Sequence, residues 1–103
     1  MIRILLSRNK NHQIDHYIID GHAEESIACT GVSAIAQTTL LALKVLLKHH
    51  VTIQSADGYL DVRFIDAPTE KTNLLTETML LGIREIEKTY QGALVVTDIS
   101  RKI

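Results

Sequence analysis

Apolar and polar residues alternate at the start of the chain in the pattern of a β-strand. Over residues 2–7, Ile2, Ile4 and Leu6 fall on one side of an extended chain. After a polar, Asn-rich turn, the β-branched and aromatic middle of residues 14–20 predicts a second strand. Because only a short turn joins them, we expect these two strands to pair as an antiparallel hairpin.

The spacing of apolar residues changes to three and four between residues 28 and 49, which predicts a first helix. Its main apolar stripe consists of Val32, Ile35, Ala36, Thr39, Leu40, Leu43, Leu46 and Leu47. A second stripe contains Ala34, Leu41 and Val45. A helix that is apolar over more than half of its circumference has to be covered on two sides. We expect the sheet on one side and a second helix or another subunit on the other, so the pattern favours a homodimer.

A second hairpin is predicted in the middle of the chain. Two strand-like segments, 51–55 and 59–64, flank the dipeptide Asp57-Gly58. This dipeptide is the strongest hairpin signal in the sequence, because a type I′ turn needs positive φ at both of its central residues.

The remaining part of the chain predicts a second helix and a final strand. The helix covers about residues 70–90, and its apolar face consists of Leu75, Met79, Gly82, Ile83, Ile86 and Tyr90. Gly92 is placed where a glycine cap would end it, and residues 93–97 form an apolar strand. The order β-β-α-β-β-α-β predicts a single α+β domain over residues 1–103. We expect a two-layer sandwich in which two helices cover one face of a mostly antiparallel sheet.

Charge and composition narrow the classes of function. The chain of 103 residues has 11 Lys and Arg and 12 Asp and Glu, so its formal net charge is −1 and attracts neither nucleic acid nor an anionic membrane. Arg3, Arg8 and Lys10 interrupt the N-terminal apolar run, which argues against a signal peptide. We expect no apolar stretch that approaches the ~20 residues of a membrane span. We therefore expect a cytoplasmic protein without a nucleic acid or a membrane as a direct partner.

The single cysteine, Cys29, excludes an internal disulfide and a cysteine-rich zinc site, and no spacing of histidines supports a metal site. We expect no metal or other cofactor.

Cys29 lies near the predicted start of the first helix, where unpaired N–H groups and the helix dipole favour a thiolate. His22 precedes it by a short connection and could take the thiol proton. The same N–H groups could hold the oxyanion of a tetrahedral intermediate. The alternatives are that Cys29 is a small buried residue and that His22 is a surface residue.

The segment around the thiol resembles a known family. Gly21-His22-Ala23 is followed by Ile27-Ala28-Cys29-Thr30-Gly31-Val32-Ser33-Ala34, and this arrangement is similar to the signature of the ribosomal-processing cysteine proteases. The turn at 8–11 and the segment Leu80-Leu81-Gly82-Ile83 also look like that family. The resemblance covers nearly the whole chain and implies the family's compact α+β fold. It implies a homodimeric endopeptidase that removes a short N-terminal extension from a bacterial large-subunit ribosomal protein, number twenty-seven.

Carried over by position, the resemblance implies that Cys29 is the nucleophile and His22 the general base and then the acid. Gly21 would let the backbone turn sharply beside the site, and Ser33, one helical turn after Cys29, would support it. Ser26 stands where the family pattern has an acidic residue that is a candidate for orienting the site. Either Glu24 or Glu25 could take over that role.

Two other functions remain open at this point. The first is a divergent, non-catalytic, dimeric and ribosome-associated binding module with a structural Cys29. It is motivated by Ser26 and by the six residues that separate His22 from Cys29. The second is a thiol redox sensor, which would need a partner thiol from another chain.

Overall fold

The computed structural model describes residues 1–100 and has the predicted order β-β-α-β-β-α-β. The strands are β1 (Ile2–Arg8), β2 (Ile14–Asp20), β3 (Val51–Ala56), β4 (Tyr59–Phe64) and β5 (Leu94–Ser100), and the helices are α1 (Ser26–Leu41) and α2 (Glu70–Thr89). The predicted α+β class is confirmed. Residues 101–103 of the predicted domain lie outside the described residues.

The five strands form one sheet in the order β3-β4-β2-β1-β5. Both predicted hairpins are present, and only β1 and β5 run parallel to each other. The antiparallel pairing of β2 with β4 joins the two hairpins and places Asp20 opposite Tyr59. This register brings the end of β2 beside the turn between β3 and β4.

The core lies between one face of the sheet and the two helices. Alternate residues of β1 point into it, and Ile2, Ile4 and Leu6 are at most 2% exposed. The strands and helices contribute to one buried cluster: Ile2, Ile4, Leu6, Ile14, Tyr17, Val32, Ala36, Leu40, Leu43, Leu60, Val62, Met79, Ile83 and Leu94. The predicted position of both helices on one face is therefore confirmed.

The two helices approach closely through a reciprocal pair of glycines. A Cβ on Gly31 of α1 would lie 2.9 Å from Cδ1 of Ile86 on α2. A Cβ on Gly82 of α2 would lie 2.9 Å from Cδ1 of Ile35 on α1. Each glycine thus leaves room for an isoleucine of the other helix. The sequence predicts that the apolar α1 has to be covered on two sides, and α2 packs against the side that the sheet does not cover.

The first helix begins and ends earlier than its apolar pattern predicts. It starts at Ser26, because the Glu25 side chain caps it by accepting a hydrogen bond from the Ile27 N–H at 3.0 Å. A π-helical segment, Ala42–Leu46, continues it, and Lys48 then adopts a φ of 50° that turns the chain toward β3. The prediction of helix up to residue 49 was wrong for this reason. Leu46, predicted on the buried stripe, is 74% exposed.

The apolar segment Ser26–Leu46 has the length of a membrane-crossing helix. It covers 21 residues and has a mean hydropathy of 1.5 over its most apolar window. The prediction that no apolar stretch approaches this length was therefore wrong. Val32, Leu40 and Leu43 of this segment belong to the buried cluster, which is the environment of a core helix.

The second helix is capped by two threonines. The Thr72 N–H donates to Oγ1 of Thr69 at 3.1 Å, and the Thr69 N–H donates to Oγ1 of Thr72 at 2.8 Å. The helix ends at Thr89, and the Ala93 N–H donates to the Tyr90 carbonyl at 3.0 Å. Gly92 therefore lies in a turn that leads to β5 rather than in the predicted helix cap.

Candidate active site

His22 follows the end of β2 on a backbone that its neighbours fix on both sides. Gly21 has a φ of +101°, and its N–H donates to the Gly58 carbonyl at 2.8 Å. A Cβ on Gly21 would run into the carbonyl oxygen of Met1. The ammonium group of Met1 donates to the His22 carbonyl at 2.7 Å. The sharp turn predicted at Gly21 is present, and it directs His22 out of the sheet.

The imidazole of His22 lies directly over Gly58 of the β3–β4 turn. A Cβ built on Gly58 would overlap Nε2 of His22 and would lie 2.9 Å from its Cε1 and 3.0 Å from its Cδ2. Gly58 also has a φ of +69°, which suits glycine in a tight hairpin turn. This turn therefore has two roles, since it joins β3 to β4 and leaves room for the ring.

Cys29 is the fourth residue of α1 and is half-buried. Its sulfur accepts a hydrogen bond from the Ala23 N–H at 3.0 Å and donates to the Ala23 carbonyl at 3.3 Å. The Cys29 N–H is bonded to the Glu25 carbonyl at 3.2 Å. The thiol is therefore held against the residue that directly follows His22.

Within residues 1–100, no hydrogen bond joins the His22 ring to the Cys29 sulfur. Both side chains instead line one open cavity of about 510 Å³ between α1 and the end of the sheet. The residues that line it are Ile2, Ile19, Gly21, His22, Cys29, Thr30, Val32, Ser33, Ala34, Ala36, Gln37, Ala56, Asp57, Gly58, Tyr59 and Leu60. The lining combines buried apolar residues, such as Val32 and Leu60, with polar side chains, such as Ser33 and Gln37, which is the usual character of a substrate site.

The cavity brings together most of the residues singled out from the sequence. Gly21, His22, Cys29 and Ser33 all line it, while Ser26 does not. Ser26 is the first residue of α1 and is exposed. The candidate orienting acids are also absent from the lining, since Glu25 caps α1 and Glu24 is exposed in the connection.

Two further residues of the site come from the β3–β4 turn, namely Asp57 and Gly58. The sequence identifies this dipeptide as a turn but gives no reason to place it beside His22. The missing information is the pairing of β2 with β4, because the register of Asp20 with Tyr59 sets residues 21 and 22 beside residues 57 and 58.

Tyr59 is the titratable residue that β4 contributes to the cavity. Desolvation raises the pKa of Tyr59, and the negative charge of Asp61 adds to that rise. Its hydroxyl donates to Oδ2 of Asp61 at 3.3 Å. Tyr59 therefore stays a neutral phenol near neutral pH. Among residues 1–100, no group of three or more His, Cys, Asp or Glu side chains is arranged to hold a metal ion.

The chain is similar to proteases of known sequence and structure. It is 28% identical over 97 residues to the ribosomal processing cysteine protease Prp of Staphylococcus aureus, covering 87% of this chain and 92% of that protein. A crystal structure of an essential ribosomal processing protease Prp from S. aureus, with a covalently linked product peptide, superposes with a TM-score of 0.89 at 26% identity. That match covers 95% of this chain and 99% of the other.

A second solved structure, from Streptococcus mutans, has a TM-score of 0.87 at 27% identity and covers 98% of this chain and 99% of the other. A sequence model of the family described as cysteine protease Prp matches residues 1–94. The resemblance found in the sequence is thereby confirmed. The chain belongs to the cysteine protease Prp family and is a cysteine protease.

Proposed function

We propose that Cys29 and His22 form the catalytic pair of this protease, and that it removes the N-terminal extension of large-subunit ribosomal protein twenty-seven in the bacterial cytoplasm. The observation that carries the proposal is that one cavity is lined by both side chains, with the thiol bonded to the residue after His22. Relatives named as ribosomal processing proteases support a ribosomal protein as the substrate. The same names favour a protease over a non-catalytic binding module.

The first half of the reaction releases the mature ribosomal protein. His22 takes the proton of Cys29, and the sulfur attacks the carbonyl carbon of the scissile peptide bond. The tetrahedral intermediate collapses with cleavage of the C–N bond, and His22 gives its proton to the leaving amine. The N-terminal extension stays on Cys29 as a thioester.

The second half returns the enzyme to its starting state. His22 takes a proton from a water molecule, whose oxygen attacks the thioester carbonyl. The C–S bond breaks, the extension leaves as a free carboxylic acid, and the proton returns to the sulfur. No redox step or cofactor enters this sequence, so the two side chains and one water balance it.

The lining of the cavity supports a peptide as the substrate. Its buried apolar lining residues include Ile2, Val32 and Leu60, which can receive an apolar side chain of an extended peptide. Ser33 and Gln37 lie on the α1 side and offer donors and acceptors to a peptide backbone. We assign Ser33 this supporting role, one helical turn after the nucleophile.

The exposed part of α1 and its continuation supports a homodimer. Leu41, Val45 and Leu46 are 58%, 64% and 74% exposed, and such apolar side chains close together in the chain can form a docking surface. Light scattering should give twice the chain mass of 11.5 kDa, and Leu46→Glu should reduce it toward 11.5 kDa. Lys44→Glu, at an exposed residue of the same segment, is the matched control and should leave the dimer intact. A wild-type mass near 11.5 kDa would refute the dimer.

The experiment that tests the proposed function uses the precursor of the ribosomal protein from the same genome. Purified enzyme is incubated with this precursor, and the products are identified by intact mass spectrometry. We expect one cleavage near the N-terminus with the wild type and none with Cys29→Ala or His22→Ala. Ser26→Ala is the control, since Ser26 does not line the cavity.

Two results would overturn the proposal. Cleavage by the Cys29→Ala protein would show that another group is the nucleophile. Cleavage of an unrelated unfolded protein at the same rate as the precursor would remove the ribosomal protein as the specific substrate.

A further inference from the structure

A histidine that acts as a base works best when a third group accepts a hydrogen bond from its other ring nitrogen. The residues expected to supply that group from the sequence do not line the cavity. Ser26 carries no carboxylate, Glu25 is engaged at the helix cap, and Glu24 lies outside the lining. Among the residues that line the cavity, the only carboxylate belongs to Asp57.

The orientation of the His22 ring relative to the β3–β4 turn shows which ring nitrogen faces that turn. The ring atoms that crowd a Cβ on Gly58 are Nε2, Cε1 and Cδ2, so the Nε2 edge of the imidazole faces the turn. The opposite side of the ring carries Nδ1. This orientation directs Nε2 toward the dipeptide that contains Asp57 and leaves Nδ1 on the side of the ring away from that dipeptide.

The carboxylate of Asp57 is exposed and makes no hydrogen bond within residues 1–100. Charged groups in β2, in β4 and at the N-terminus are already engaged. Asp20 is paired with Arg3 at 2.9 Å, and Asp61 accepts from Tyr59 and His16. The ammonium group of Met1 is bonded to the His22 carbonyl. Of these groups, only Asp57 is free to serve the ring.

We propose that Asp57 is the positioning residue of the site. In the working enzyme its carboxylate accepts the hydrogen bond of the His22 Nε2–H, which fixes the tautomer with Nδ1 as the base and stabilises the imidazolium that forms. The inference rests on the proposed Cys29–His22 pair. Asp57 of the hairpin turn thus takes the orienting role for which the sequence suggested Glu24 or Glu25 in the connection before α1.

The first test compares the steady-state kinetics of Asp57→Asn, Asp57→Glu and the wild type on the ribosomal precursor. We expect Asp57→Asn to lower kcat by at least about tenfold with KM unchanged, less than the ~10⁴ of a buried triad aspartate, since water screens an exposed carboxylate. Asp57→Glu should recover part of the loss. Glu24→Gln, which removes an exposed carboxylate outside the lining, is the matched control and should change neither constant.

The second test measures the rate of alkylation of Cys29 by iodoacetamide as a function of pH, because the thiolate is the reactive form. Loss of the carboxylate destabilises the His22 imidazolium that forms together with the Cys29 thiolate. The alkylation profile of Asp57→Asn should therefore move to higher pH. If Asp57 acted only as a negative charge near the sulfur, its removal would favour the thiolate, and the profile would move to lower pH. The direction of the shift therefore separates the two roles.

Three results would overturn the inference. The first is a rise in KM with kcat unchanged, which would make Asp57 a substrate-binding residue. The second is a shift of the alkylation profile of Asp57→Asn to lower pH. The third is no change in either experiment. A His22→Ala variant separates this failure from failure of the proposed function. If His22→Ala leaves the alkylation profile unchanged, the Cys29–His22 pair itself is refuted, and the role of Asp57 falls with it.

Discussion

The imidazole of His22 occupies the space that a side chain on Gly58 would fill. The two residues are 36 positions apart in the sequence numbering, and they meet because β2 pairs with β4. The absence of a side chain on residue 58 is therefore a requirement of the histidine's position as well as of the turn. The glycine that makes Asp57-Gly58 a strong hairpin signal in the sequence therefore also makes room for the His22 ring in the candidate active site.

The Gly58→Ala variant should lose activity to a greater extent than it loses stability. The added Cβ would displace the His22 ring from the cavity, while the positive φ would cost about 1 kcal/mol of stability. Gly92→Ala is the matched control, since Gly92 has a φ of +84° and a Cβ there would meet nothing within 4 Å. Urea unfolding and kcat/KM on the precursor measure the two effects. Equal loss of activity in both variants would contradict the role of Gly58.

Tyr17→Phe should leave stability unchanged or raise the free energy of unfolding by up to about 1 kcal/mol, since it removes a buried hydroxyl that has no hydrogen-bond partner within residues 1–100. The ring itself is fully buried in the core, and the same burial raises the pKa of Tyr17. Urea unfolding of both proteins measures the difference. A clear destabilisation by Tyr17→Phe would show that the hydroxyl has a partner that contributes to stability.

Asp66 should stabilise the fold near neutral pH and lose that effect in acid. Its Oδ2 accepts hydrogen bonds from the backbone N–H of His50 at 3.0 Å and from the Nδ1 of the same residue at 2.9 Å. The backbone bond is the main cause that lowers the pKa of Asp66 below 3.8. A carboxyl group whose pKa is lowered by folding stabilises above its unfolded value, and the contribution is lost as the pH falls through the folded value.

The measurement compares urea unfolding of Asp66→Asn and the wild type across this range. The wild type should be the more stable protein near neutral pH, and the two should converge as the pH falls below 3.8. Glu24→Gln is the control, because Glu24 is exposed and makes no hydrogen bond within residues 1–100. A difference that is the same at every pH would mean that Asn at residue 66 acts through packing rather than through charge.

The sequence predicts the local elements well and their long-range pairing poorly. Alternation in β1 and the Asp57-Gly58 signal depend on neighbouring residues, so both hairpins follow from the pattern. The pairing of β2 with β4 and the parallel pairing of β1 with β5 join segments that are far apart in the chain, and no periodicity encodes them. The roles of Asp57 and Gly58 beside His22 could not be predicted for this reason.

The ends of α1 show a second limit. Apolar spacing continues to Leu47, but the backbone changes to a π-helix at Ala42 and turns at Lys48, and the apolar spacing indicates neither change. At the other end, the Glu25 cap places the helix start at Ser26, slightly before the start predicted near residue 28. Cys29 therefore lies at the end of the first turn, and its position near the helix start follows the sequence only approximately.

The most direct test of the central claim is to detect the covalent intermediate on Cys29. The enzyme is mixed with a stoichiometric amount of the ribosomal precursor, quenched in acid within the first turnover, and analysed by intact mass spectrometry and peptide mapping. We expect a mass gain equal to that of the released extension less one water, located on Cys29 and absent from Cys29→Ala. Cleavage that proceeds without any adduct on Cys29, or with the adduct on another residue, would contradict it.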